Sequence, residues 1–155
     1  MHEKTLRYAD CQVIATSQTC DLAVIELPKE CEVIPLPLFS ESTTEDMPIV
    51  AAGFPALANK PSWQMTRGFI SNARVESLES TSASHIIQHT AAIDPGSSGG
   101  PLLFKGEDGK YRILGINTWK AFYRDGVGLA IGTDDITTFL QDMNHLGTKD
   151  AEDLE

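Results

Sequence analysis

One segment limits what this chain can become: Ala91-Ala92-Ile93-Asp94-Pro95-Gly96-Ser97-Ser98-Gly99-Gly100-Pro101-Leu102-Leu103. A Pro-Gly turn leads into serines framed by glycines, and an apolar run follows. Glycine lets the backbone take a tight, exposed shape without Cβ clashes. A nucleophilic serine needs such a turn, with backbone N–H groups free to stabilise the oxyanion formed on attack. The same composition also suits an ordinary surface loop, so the flanking sequence has to decide. A G-x-S-x-G elbow leads from a strand into a helix. Here Pro101-Leu102-Leu103-Phe104 is followed by the turn-rich Lys105-Gly106-Glu107-Asp108-Gly109-Lys110 and a further apolar run. That pattern is a hairpin, and the elbow is excluded.

The rest of the chain has the same character. Leu6 to Ala15 alternates and is rich in β-branched residues, and Thr16 to Thr19 turns. Leu22 to Leu27 reads as a buried strand closed by Pro28, with Asp21 at its entrance, where a turn-capping role is the ordinary one. Ile49 to Ala52 reads as a strand ending in Gly53-Phe54-Pro55. Trp63 to Val75 and His85 to His89 read as further strands. Ser40–Asp46, Ala56–Ser62 and Glu76–Ser84 read as loops or turns. Only Asp134 to Asn144 has helical spacing, through Ile136, Phe139, Leu140 and Met143, with two acids at the favourable N-terminal end. Many short strands with regular turns predict an all-β barrel or sandwich.

Four ordered stretches carry a resemblance. Gln88 to Leu103 resembles the active-serine segment of chymotrypsin-like serine proteases (G-x-S-G-G-P), in the HtrA/Deg branch. Asp21-Leu22-Ala23-Val24-Ile25-Glu26-Leu27 resembles the segment opening with that family's catalytic Asp. Thr66-Arg67-Gly68-Phe69-Ile70-Ser71 resembles the strand that starts its second barrel. Leu114 to Trp119 and Gly126 to Ile131 resemble the two strands walling its specificity pocket. The likeness runs from about Arg7 to Leu140.

The fold it implies is a chymotrypsin-like double β-barrel with a C-terminal helix and an incomplete first barrel. Residues 1–147 form the protease domain: about 1–62 the remainder of the first barrel, 63–147 the second barrel and helix. Residues 148–155 are expected to be a disordered acidic tail. The resemblance implies peptide-bond hydrolysis through an acyl-enzyme at Ser98, with Asp21 orienting the base and the N–H groups of Gly96 and Ser98 as oxyanion hole. Ser97 stands at the variable position before the nucleophile. Ala92 matches the pocket floor, where an uncharged side chain predicts small or medium apolar P1 residues. Thr118, Trp119 and Lys120 match the strand that pairs with substrate backbone; Gly126 and Gly128 match the opposite wall. For Trp119, core packing is an equal alternative. Lys120 departs from the glycine of the trypsin branch.

The family's base is the difficulty. It lies upstream of the Asp in a Thr-x-x-His-Val-like stretch, yet His2 is the only histidine before Asp21, and its neighbours do not match. His85 and His89, four apart on a strand, lack a third metal ligand at recognisable spacing. His145 follows the helix. All three read as structural or surface residues. The chain is then expected to be inactive alone, as a truncated protease or half of an assembly, or else a non-catalytic relative that binds extended peptides.

Composition narrows the partners. With 155 residues, one domain can bury a real core. A formal charge of −10 argues against nucleic acid, and no apolar stretch reaches membrane-span length. Polypeptide substrates are the implied partners; no cofactor and no metal is implied, and an oligomer is not readable. Cys11, Cys20 and Cys31 cannot all pair within the chain, and free cysteines are the default. The family's usual places are the bacterial periplasm or envelope and organelles. The PDZ domain common after HtrA proteases has no counterpart in these residues.

Overall fold

In the computed structural model, which describes residues 8, 11–17, 19–76, 82–120 and 126–152, β1 (Gln12–Thr16) and β2 (Ala23–Glu26) form an antiparallel pair. The segment from Leu22 to Leu27 is not the buried strand its sequence predicts. Val13 keeps 60% of its surface, Ile25 51% and Leu27 51%. The cause is architectural: two strands make one layer, and a layer buries its apolar residues only against another. Among the described residues none covers this face. From Leu6 to Asp10, all but Tyr8 lies outside the described residues.

β3 (Pro48–Gly53) begins the main body. A short hairpin follows, β4 (Ala56–Leu57) with β5 (Lys60–Pro61). It replaces the loop expected there, because Ala58 and Asn59 take positive φ (48° and 62°) and reverse the chain in two residues. Then come β6 (Gln64–Val75), β7 (Ile86–His89), β8 (Pro101–Lys105), β9 (Tyr111–Lys120) and β10 (Gly128–Gly132). Six of these close into an antiparallel barrel in the order β10-β7-β6-β3-β8-β9. The β8–β9 hairpin is the one its turn-rich sequence predicts. Ile49, Ala51, Ile70, Ile87, Leu102, Leu114 and Ala130 fill the interior. Each strand alternates, so every second residue reaches it.

β3 is paired on both edges, Val50 facing Arg67 on β6 and Leu103 on β8, so it belongs to the closed barrel. The Thr66–Ser71 stretch is therefore the barrel's second strand in chain order.

α1 (Thr133–Glu152) begins one residue before the expected start and continues past Asn144. Residues 148–152, expected to be disordered, are helical; 153–155 lie outside the described residues. A lone Gly147 costs a helix only about 1 kcal/mol, and Lys149, Ala151 and Glu152 are good helix formers. The first turn is tied to the two residues just before β7 and to β6. Asp135 accepts from the N–H and Oγ of Ser84 (both 2.9 Å) and the N–H of His85 (2.7 Å), while Asp134 pairs with Arg74. Ile136 packs against Ile86 and Ile131 beneath it. The three cysteines are free and half-buried.

Candidate active site

The loop between β7 and β8 treats its two serines differently. Gly96 and Gly99 adopt φ of 98° and 84°, which a side chain would strain. Between them Ser97 turns inward: it is 7% exposed, its Oγ accepts the Asp94 N–H (3.2 Å), and its own N–H donates to the Asp94 carbonyl (2.8 Å). Ser98 stays exposed, and its Oγ donates to the Thr118 carbonyl at 2.9 Å. Gly99 N–H donates to the Asn117 carbonyl and Asn117 N–H to the Gly100 carbonyl, each 2.8 Å, stitching the loop to β9. Among the described residues, the N–H groups of Gly96 and Ser98 have no acceptor.

Thr118 joins this loop to the first strand pair. Its hydroxyl donates to Asp21 Oδ2, 97 residues away in sequence. Asp21 thus takes a long-range bond where its sequence position suggested a local turn cap. Ser98 and Asp21 are bound to the same residue, one through its carbonyl and one through its hydroxyl. Sequence reading assigned Thr118 to the substrate strand alone. Nothing local in Asn117-Thr118-Trp119 reveals the second contact.

No imidazole bonds to Ser98 or Asp21 among the described residues. His85 is 4% exposed and His89 0%, so neither ring is open to solvent, and burial pushes both pKa values down, that of His89 to about 4. His85 Nδ1 lies 3.4 Å from Asp134. His2 and the His145 side chain fall outside the described residues. Among those described, no three His, Cys, Asp or Glu side chains gather as metal ligands would.

A pocket of about 270 Å³ opens beside the loop. Ala92 lines it with Thr90, Ala91 and Ile93 on one side, and Gly126, Val127 and Gly128 face them. No charged side chain is among these. Trp119 and Lys120 lie on β9, their backbones opposite Leu129 and Gly128 of β10; their side chains are outside the description. β9 pairs with β8 only as far as Ile116. The edge of Trp119 and Lys120 away from β10 carries no strand among the described residues.

Known proteins share this fold. The Trypsin-like peptidase domain family matches residues 2–116. Serine protease Do-like HtrA of Bacillus subtilis is 33% identical over 140 residues, covering 85% of this chain and 30% of its own length. Protease Do-like 4, mitochondrial, of Arabidopsis thaliana is 31% identical over 145 residues, covering 88% and 26%. The chain thus spans about 30% or less of these two relatives. Among solved structures, the HtrA-type protease AlgW with decapeptide superposes with a TM-score of 0.70 at 27% identity, covering 87% of this chain and 40% of the other. The serine endoprotease from Yersinia pestis shares the fold, with a TM-score of 0.68 at 24% identity, covering 88% and 45%. Six-stranded barrel, closing helix and serine loop together have the chymotrypsin-like form of the HtrA-type protease. The chain belongs to the trypsin-like peptidase domain family, and its relatives there include Do-like serine proteases of the HtrA type.

Proposed function

We propose that this chain carries the nucleophile, oxyanion hole and specificity pocket of a serine endopeptidase. Ser98 attacks the peptide carbonyl; the carbonyl oxygen takes the negative charge and is held by the N–H groups of Gly96 and Ser98. Asp21 orients the base and is itself held by Thr118. The observation that carries this reading is the difference between the adjacent serines: only Ser98 is exposed, on the loop whose flanking N–H groups have no acceptor among the described residues.

The pocket supports a preference for small or medium apolar P1 side chains. Ala92 offers no charge to a Lys or Arg, and Gly126, with nothing within 4 Å of where a Cβ would stand, leaves the space beside it open. A substrate strand adds along the unpaired edge of Trp119 and Lys120. With no imidazole beside Ser98 among the described residues, the 155 residues alone are expected to hydrolyse peptides close to background. The exposed apolar face of β1 and β2 supports a base that arrives on polypeptide packed there.

A second reading rests on the same lack of an imidazole: a non-catalytic relative that captures extended peptides on this edge. Titration with acetylated peptides that end, as free carboxylates, in Ala, Val, Leu, Phe or Lys tests the pocket without requiring turnover. Val- and Leu-ended peptides are expected to bind and the Lys-ended one not. A Lys preference, or no binding, would sink the pocket assignment. Cleavage after addition of a histidine-bearing first-barrel polypeptide separates peptidase from binder.

A further inference from the structure

His89, the last residue of β7, lies directly before Thr90, which lines the pocket. It has no exposed surface, and its Nε2 lies 3.1 Å from Asn117 Oδ1. On its other side the ring lies against Gly128, where a Cβ would stand 2.3 Å from Cε1. The imidazole therefore occupies the space that a side chain at 128 would fill. Gly128 lines the pocket, and so does Thr90, the next residue along the chain. Asn117 in turn holds the serine loop through its bonds to Gly99 and Gly100. A single buried contact thus joins the inner wall of the pocket to the turn behind Ser98. Burying a polar pair carries a desolvation cost that an apolar side chain would avoid. What an apolar side chain cannot do is bond to Asn117.

We propose that His89 is a specificity-determining and positioning residue: its ring sets the depth of the pocket, and its bond to Asn117 sets the place of the Gly99–Gly100 turn. This rests on the reading of the pocket as a P1 site. The substrates it selects are polypeptides whose P1 side chain is no larger than Leu. Ring volume and hydrogen bond are separable. His89→Leu keeps most of the volume and loses the bond, His89→Gln keeps a group that reaches Asn117, and His89→Ala loses both.

The test measures the affinities of the Val-ended and Phe-ended peptides for the 155-residue chain and each variant, with the amide signals of Gly99 and Gly100 read by NMR. Wild type is expected to favour Val by about tenfold or more, the scale on which apolar pockets discriminate. His89→Ala is expected to erase that ratio. His89→Leu and His89→Gln should keep it within about threefold on the same scale. The Gly99 and Gly100 signals should move in the Ala and Leu variants and not in the Gln variant. If His89→Ala does not fold, His89→Val, which also opens space, is read in its place. A folded small-residue variant with an unchanged ratio overturns the role in depth. Unmoved Gly99 and Gly100 signals in His89→Leu overturn the role in positioning. A wild type that binds neither peptide overturns the P1 reading and this proposal together, whereas binding with unchanged variants overturns this proposal alone.

Discussion

Ser97 and Ser98 are chemically alike, and burial alone divides them. Ser97 is a strut of its turn, so Ser97→Ala should cost about 1 kcal/mol in denaturant unfolding, the worth of its bond to Asp94, and leave peptide affinity unchanged. Thr118→Val removes the only hydroxyl bonded to Asp21 among the described residues. In the chain complemented with a base it should lower kcat by about tenfold or more, with KM nearly constant, because a positioning contact is lost. His89 supplies a pH effect. Burial first of all lowers its pKa from 6.5 to about 4, so the unfolded chain takes up the proton first. Stability should fall as pH drops from about 6.5 through 4, by up to roughly 3 kcal/mol, and level off below. His89→Gln should remove that share of the pH dependence in urea melts at pH 7 and 4.5. The exposed turn that carries Ser98 was legible from the sequence because the glycine-framed motif is local. Thr118's bond to Asp21 and the His89–Asn117 pair were not, since each spans distant strands and leaves no spacing to read.

At the scale of elements, alternation and turn residues predict the barrel strands well, and they misjudge what depends on neighbours. β2 has the apolar run of a buried strand, but burial is a property of the layer opposite it, which its own residues do not encode. β3 reads correctly as a strand; its membership of the closed barrel follows from pairing with β6 and β8, which no local pattern reveals. The helix start was legible in Asp134 and Asp135, whereas Gly147 was a false stop. Asp135 anchors the first turn through three hydrogen bonds to Ser84 and His85. Asp135→Ala should therefore destabilise the fold by about 1–2 kcal/mol, more than loss of an exposed acid elsewhere. Chemical denaturation of the variant beside Asp142→Ala, an exposed acid farther along the helix, checks this.

The whole molecule combines a net charge of −10 with an apolar face that includes Val13, Ile14, Ile25 and Leu27. Charge opposes self-association and the face favours it. Hydrophobic dye binding and sedimentation should therefore show association that grows with salt and falls on Val13→Thr with Ile25→Thr, at little cost in stability. The same face lies on the strand pair that carries Asp21 in the adjoining turn. The first measurement is labelling of Ser98 by a fluorophosphonate, read by peptide mass, with and without a high concentration of free imidazole. Labelling close to background alone, raised by imidazole, confined to Ser98, kept in Ser97→Ala and lost in Ser98→Ala is the expected result. Labelling that survives Ser98→Ala, or no labelling of Ser98 in the folded chain at any imidazole concentration, would contradict a nucleophile at Ser98 awaiting its base.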